Sequence, residues 1–159
     1  MLLEGSCQCG KVRFTVESTT PYPYQICFCS ICRKCTGGAF GCNIMGRHDT
    51  LVVHGKRFLK RYHARVHDRG KTTLAKGWRA FCGACGTHLW LEDARWPDGI
   101  WPNAGAIDTK LPVPPSYTFI MTRYKPAWVP WPKARAHKFP EYPKESIAAW
   151  HDKRGLTRR

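Results

Sequence analysis

A chain of 159 residues is long enough to bury a core of its own without disulfide staples, and short enough that we expect one domain spanning residues 1–159. Its 43% hydrophobic content is ordinary for a globular protein, and its apolar runs are too short to span a bilayer, which excludes a helical membrane protein. Lys and Arg number 26 against 11 Asp and Glu, a net charge of +15, so the surface potential favours anionic partners (nucleic acid, anionic lipid or small polycarboxylates) without choosing among them.

The segment from Met1 to Gly5 runs into a cysteine pair with no apolar signal region before it. The expectation is a reducing, cytoplasmic setting. Lys11 to Glu17 then alternates cleanly, which predicts a strand with Val12, Phe14 and Val16 on one face. Ser30 is placed to cap a short helical turn through Ile31 to Thr36, stopped by Gly37-Gly38. Leu51 to His54 predicts a second strand, and Arg57 to His63 a third with Phe58 and Tyr62 on the same face. Leu89 to Leu91, Ile100-Trp101 and Tyr117 to Met121 predict further strands. Pro143 can open a helix through Ile147 and Trp150, with Lys153 and Arg154 in its last turn and Gly155 beyond. The 12 prolines and 14 glycines fall mostly between these runs, and we see no repeat or linker. The expected fold is mainly β, with small sheets meeting at metal knuckles.

The cysteines carry the chemistry. Seven of the nine lie in three clusters: Cys7-Gln8-Cys9, Cys27-Phe28-Cys29-Ser30-Ile31-Cys32 and Cys82-Gly83-Ala84-Cys85. In a reducing compartment such clusters read as metal ligands, and several converging thiolates suit zinc. Cys7 and Cys9 could combine with Cys82 and Cys85 in one closed four-thiolate site that ties the N-terminus to the middle of the chain, although spacing alone leaves that pairing open. Cys27, Cys29 and Cys32 supply three thiolates from one short segment. A set that stops at three leaves a coordination position free, which is the mark of a catalytic site.

Gly5 to Phe14, Cys27 to Lys34 followed by Gly38-Ala39-Phe40-Gly41, and Arg79 to Leu89 together resemble the glutathione-dependent formaldehyde-activating enzyme family. Ala104 to Asp108 and Lys125 to Val129 are similar to its weaker downstream signatures, so the resemblance runs from about Leu3 to Pro143. It implies a β-tent fold of small antiparallel sheets with zinc knuckles, and two zinc ions per chain. One would be structural, on Cys7, Cys9, Cys82 and Cys85; the other would sit on Cys27, Cys29 and Cys32. The enzymes that name the family add glutathione reversibly to formaldehyde, giving S-hydroxymethylglutathione. The implied activity is a carbon–sulfur lyase with Cys27, Cys29 and Cys32 at the catalytic metal and a small thiol such as glutathione as substrate. The family also contains the centromere protein V group, which works in chromosome biology, so membership alone does not fix activity.

One position departs from the family pattern. Cys35 stands where the family commonly has a small residue. It can fold onto the middle cluster as a fourth sulfur and close the site, or pack in the turn as a small hydrophobe; we adopt the second reading. Arg33 and Lys34 are first candidates to hold the carboxylates of a bound thiol peptide and to offset the charge of a three-thiolate site, against the plain alternative of solvent exposure. The opposing functional reading is a non-catalytic zinc module that binds nucleic acid or another acidic partner. Its support is the interleaving of cations and aromatics from Lys56 to Arg65 and the basic tail Lys153 to Arg159. A half-buried strand with a solvated basic face gives the same pattern, and we weight it more. His88 is expected to be a hydrogen-bonded strand residue, His63 and His67 receive no metal, and Trp78, Trp90, Trp101 and Trp128 are expected mostly in core or turn gaps.

Overall fold

The computed structural model describes residues 1–68 and 70–156; Thr157, Arg158 and Arg159 of the basic tail lie outside the described residues. The chain runs β1 (Leu2–Ser6), β2 (Arg13–Glu17), β3 (Gln25–Cys27), α1 (Ser30–Thr36), β4 (Gly41–Asn43), β5 (Gly46–Arg47), β6 (Val52–His54), β7 (Leu59–Asp68), β8 (Lys71–Cys82), β9 (His88–Glu92), β10 (Gly99–Pro102), β11 (Tyr117–Ile120), β12 (Ala136–Lys138) and α2 (Ile147–Asp152). Among the described residues no helix is long and apolar enough to cross a membrane.

Three sheets form: β1-β2-β6, β5-β10-β9-β8-β7 and β12-β11-β3-β4. The first two are antiparallel throughout. The third departs from the expected all-antiparallel arrangement, because β11 runs parallel to both β3 and β12. A parallel pair needs a long connection rather than a hairpin, and here most of the chain lies between β3 and β11. The pairing holds the end of β3 firmly: Cys27 faces Ile120, and the Phe28 N–H donates to the Ile120 carbonyl at 3.2 Å.

The period-2 pattern of the second strand meets its expectation, since Val12, Phe14 and Val16 are all buried against Leu3, Leu89, Trp90 and Ile100. Burial of each such large side chain contributes roughly 1.5–3 kcal/mol. Phe14 also meets Trp90 edge-to-face at 5.1 Å between ring centroids. A second core holds Ile26, Phe28, Phe119 and Val129, and a third joins Cys27 and Cys32 to Ile120.

Three boundaries shift for local reasons. The expected strand from Arg57 starts instead at Leu59, because Gly55, at φ 76°, turns the chain into a 3-10 turn over Lys56–Phe58 closed by the Phe58 N–H on the Gly55 carbonyl. Helix α1 is capped by Cys29 rather than Ser30: the Cys29 sulfur accepts from the Cys32 N–H, and Gly37, at φ 66°, ends the helix as expected. Helix α2 opens at Ser146, whose hydroxyl accepts from the Ala149 N–H, rather than at Pro143. Of the tryptophans assigned to core or turn gaps, Trp90 is buried and Trp101 half-buried, whereas Trp78 and Trp128 are exposed.

Candidate metal centres

Two loops of the same design meet at the first centre. At the end of β1, the Cys7 N–H donates to the Val12 carbonyl and the Gly10 N–H returns to the Cys7 carbonyl, each at 2.9 Å. At the end of β8, the Cys82 N–H donates to the Thr87 carbonyl and the Gly86 N–H to the Cys82 carbonyl. The Gln8 N–H reaches the Thr87 hydroxyl at 3.1 Å and clamps the loops together. The sulfurs of Cys7, Cys9, Cys82 and Cys85 all lie within 4.8 Å of one another. Cys7 and Cys82 face the core, while Cys9 and Cys85 face solvent. The Val12 N–H donates to the Cys7 sulfur at 3.2 Å, and the Thr87 hydroxyl beside Cys85 holds that thiol down to about 5. Both contacts favour thiolates, the form that binds metal.

The second centre forms where the mixed sheet hands over to α1. Cys27 is the last residue of β3, Cys29 caps the helix, and Cys32 sits in its first turn. Their three sulfurs are likewise within 4.8 Å of one another, with Cys27 and Cys32 buried and Cys29 half-buried. Hydrogen bonds from Cys27 and Cys29, then the charge of Arg79, hold Cys32 well below the ordinary thiol range; the same sharing with Cys29 and Cys32 pushes Cys27 up. Cys35 is not part of this group: its sulfur lies 3.0 Å from the Tyr62 hydroxyl on β7. Burial, then the contact with Cys35, raises the Tyr62 phenol to about 12.

Sulfur donors suit zinc and other thiophilic metals and disfavour hard cations, and the mutual approach of the sulfurs lets either centre hold such an ion. All nine cysteines are free thiols, which leaves the seven ligands available.

Several neighbours of the second centre were not foreseen. Arg79 on β8 directs Nη2 at the Cys32 sulfur over 3.6 Å, and Asn43 Nδ2 faces the same sulfur at 4.0 Å. Tyr142 is an exposed residue before α2; partial burial, together with the charge of Cys27, Cys29 and Cys32, which it lies near enough to feel, raises its phenol. Arg79 belongs to the Arg79 to Leu89 motif, so a signal existed in the sequence, but without β8 there was no way to aim its side chain. Of the two cations foreseen, Arg33 is half-buried with Nε donating to the Phe28 carbonyl at 3.1 Å, and Lys34 is exposed. His88 lies on β9 as expected and is buried at 5% exposure; its ring meets the Ala80 backbone, whereas Nε2 has no hydrogen-bond partner among the described residues, and burial lowers its pKa to about 4.

The basic strand is engaged with the protein itself. Arg61 Nη1 pairs with Glu92 Oε1 at 2.6 Å, and Arg57 lies over the Phe58 ring at 4.7 Å. The His63 ring packs at a tilt on Trp78 and meets the Gly77 carbonyl, and His67 Nδ1 meets the Thr72 hydroxyl at 2.9 Å.

The chain is similar to known proteins in sequence and in fold. A Halomonas elongata protein named for the glutathione-dependent formaldehyde-activating enzymes is 48% identical over 158 residues, covering 98% of each chain. A crystal structure of a Rhodobacter sphaeroides protein, 23% identical, superposes with a TM-score of 0.53 over 69% of this chain and 91% of the other, and so shares the fold. Residues 2–123 match the family described as Glutathione-dependent formaldehyde-activating enzyme, a span that contains all seven clustered cysteines, and the chain belongs to that family.

Proposed function

We propose that the protein is a zinc-dependent carbon–sulfur lyase that reversibly joins a small thiol, with glutathione as the leading candidate, to formaldehyde or a similar small aldehyde. Two zinc ions per chain serve it, a structural one on Cys7, Cys9, Cys82 and Cys85 and a catalytic one on Cys27, Cys29 and Cys32. The observation that carries the reading is the gathering of three sulfurs at the second centre with Cys35 turned away onto Tyr62. Family membership supports the substrate class.

The chemistry asks for little. Glutathione's thiol is mostly protonated at neutral pH, given an ordinary cysteine pKa of roughly 8.5. Cys27, Cys29 and Cys32 would hold the zinc, which when bound would favour the thiolate form of an added thiol and keep its sulfur nucleophilic. Addition forms one C–S bond, the carbonyl π electrons pass to oxygen, and oxygen takes up the proton that the thiol gave away. The chain's own residues set the stage. The Cys32 N–H fixes the Cys29 sulfur at 3.3 Å, and Asn43 with Arg79 orients Cys32. Lys34, exposed on α1, is free to meet a carboxylate of the thiol peptide, whereas Arg33 is partly committed to the Phe28 carbonyl.

The deciding experiment uses the zinc-loaded protein with glutathione and formaldehyde and follows S-hydroxymethylglutathione above the spontaneous rate. Acceleration that is lost in Cys29→Ser supports the reading. A two-zinc protein that gives no acceleration and does not respond to glutathione overturns it.

A further inference from the structure

We propose that Arg79 is the buried counter-ion of the Cys27, Cys29 and Cys32 centre, a positioning residue that sets the charge of the site and thereby its hold on metal. The inference rests on reading that centre as a metal site and assigns a task to a residue outside its ligand set.

Arg79 is 8% exposed, and an arginine in a protein cannot shed its proton. A buried ion without a partner costs several kcal/mol. Yet among the described residues no carboxylate lies within ion-pairing distance of Arg79; the ion pairs there use Arg47, His48, Arg61, Arg95, Arg123 and Lys153 instead. What the guanidinium does face is sulfur, with Nη2 3.6 Å from Cys32 Sγ. Nη1 is also buried and has no hydrogen-bond partner among the described residues. A permanent cation in this position requires a permanent anion beside it, and the thiolate cluster is the group that can provide one.

The charge arithmetic closes. A divalent metal on three thiolates carries one negative charge, and Arg79 cancels it. When a substrate thiolate joins, the ensemble holds one negative charge rather than two, which is tolerable in a partly buried site. The contrast with the first centre supports the assignment. Four thiolates and a divalent metal carry two negative charges there, but Cys9 and Cys85 are exposed, so water screens them and no arginine is needed. Strand β8 serves both centres, with Cys82 a ligand of one and Arg79, three residues earlier, the counter-charge of the other.

The test is chelator competition on the full-length, zinc-loaded protein, counting zinc released to a chromophoric chelator, for the wild type, Arg79→Met and Arg79→Lys. The wild type should release two zinc ions in separate steps. In Arg79→Met the weaker ion should leave at roughly 10- to 100-fold lower chelator strength while the other is unmoved, and Arg79→Lys should recover part of the loss. Three outcomes overturn the proposal: Arg79→Met holding both ions as the wild type does, Arg79→Met and Arg79→Lys losing the weaker ion equally, or both ions leaving together because the fold has failed. A wild type that binds a single zinc overturns the two-site reading itself, and the proposal with it.

Discussion

The Cys35 sulfur and the Tyr62 hydroxyl lie 3.0 Å apart, so the last cysteine of α1 is turned towards β7 and away from the three sulfurs beside it in sequence. The second centre gathers three sulfurs without it. Cys35→Ala should therefore retain both zinc ions and the thiol-adduct activity, at a stability cost of about 1 kcal/mol for the lost contact. Metal content and the denaturant midpoint of the variant check this together. Loss of one zinc would instead mean that Cys35 swings in as a fourth ligand.

The two centres should respond differently to ligand removal. Cys7 and Cys82 are buried in the main core, and the Gln8 N–H on the Thr87 hydroxyl joins their two loops. Cys7→Ser or Cys82→Ser should unfold much of the protein, because a structural metal contributes its binding energy to folding, in small zinc domains about 10 kcal/mol or more. Cys29→Ser or Cys32→Ser should leave a folded chain with one zinc and no thiol-adduct activity, since β3 and α1 remain anchored through β11. Circular dichroism with metal analysis separates the cases. Equal unfolding of all four variants would make both centres structural.

How much of this was legible in the sequence follows from physical pattern. Val12, Phe14 and Val16 announced their strand because one face is buried and the other wet. The cysteine pairs announced their centres because local spacing converges sulfurs. Strand β8 was silent over Lys71 to Leu74, where every residue is exposed and nothing alternates. The very short strands β3, β4 and β5 are too brief to show a period, and the parallel pairing of β3 with β11 is a long-range event that no local pattern encodes. Arg79 was missed for the same reason: its role depends on which face of an unforeseen strand meets α1.

His88 links acid sensitivity to a single buried ring. Its pKa is lowered from 6.5 to about 4, chiefly by burial, with the charge of Arg79 assisting. The folded protein therefore keeps the ring neutral while the unfolded chain takes up a proton below 6.5. Stability from this source is fully present above pH 6.5 and is lost as pH falls to about 4, a total of roughly 3 kcal/mol. Urea unfolding at pH 7.5 and pH 5, with zinc in excess, should show wild-type stability falling by about 2 kcal/mol more than that of His88→Leu. Equal falls in the two proteins would remove His88 from the account.

A net charge of +15 makes a polyanionic partner the natural rival to a small thiol. Nucleic-acid binding through phosphates weakens steeply with salt, because each neutralised phosphate releases condensed counterion. One small thiol peptide makes only a few charged contacts and should weaken gently. On β7, Arg61 is already paired with Glu92, whose side chain is 13% exposed, and the stem of Lys60 lies over Gly83. The Arg61 charge is thus engaged by the protein's own surface, which leaves less of the strand available to a polyanion. We expect Lys60→Glu with Arg61→Glu to leave glutathione affinity within about twofold and to cost about 1 kcal/mol of stability from the broken surface pair. DNA binding by the wild type should be weak at low salt and absent at physiological salt, as followed by fluorescence anisotropy across a salt series. Tight, sequence-tolerant binding at physiological salt that the double variant abolishes would make β7 a nucleic-acid surface and reverse the assignment of its charge.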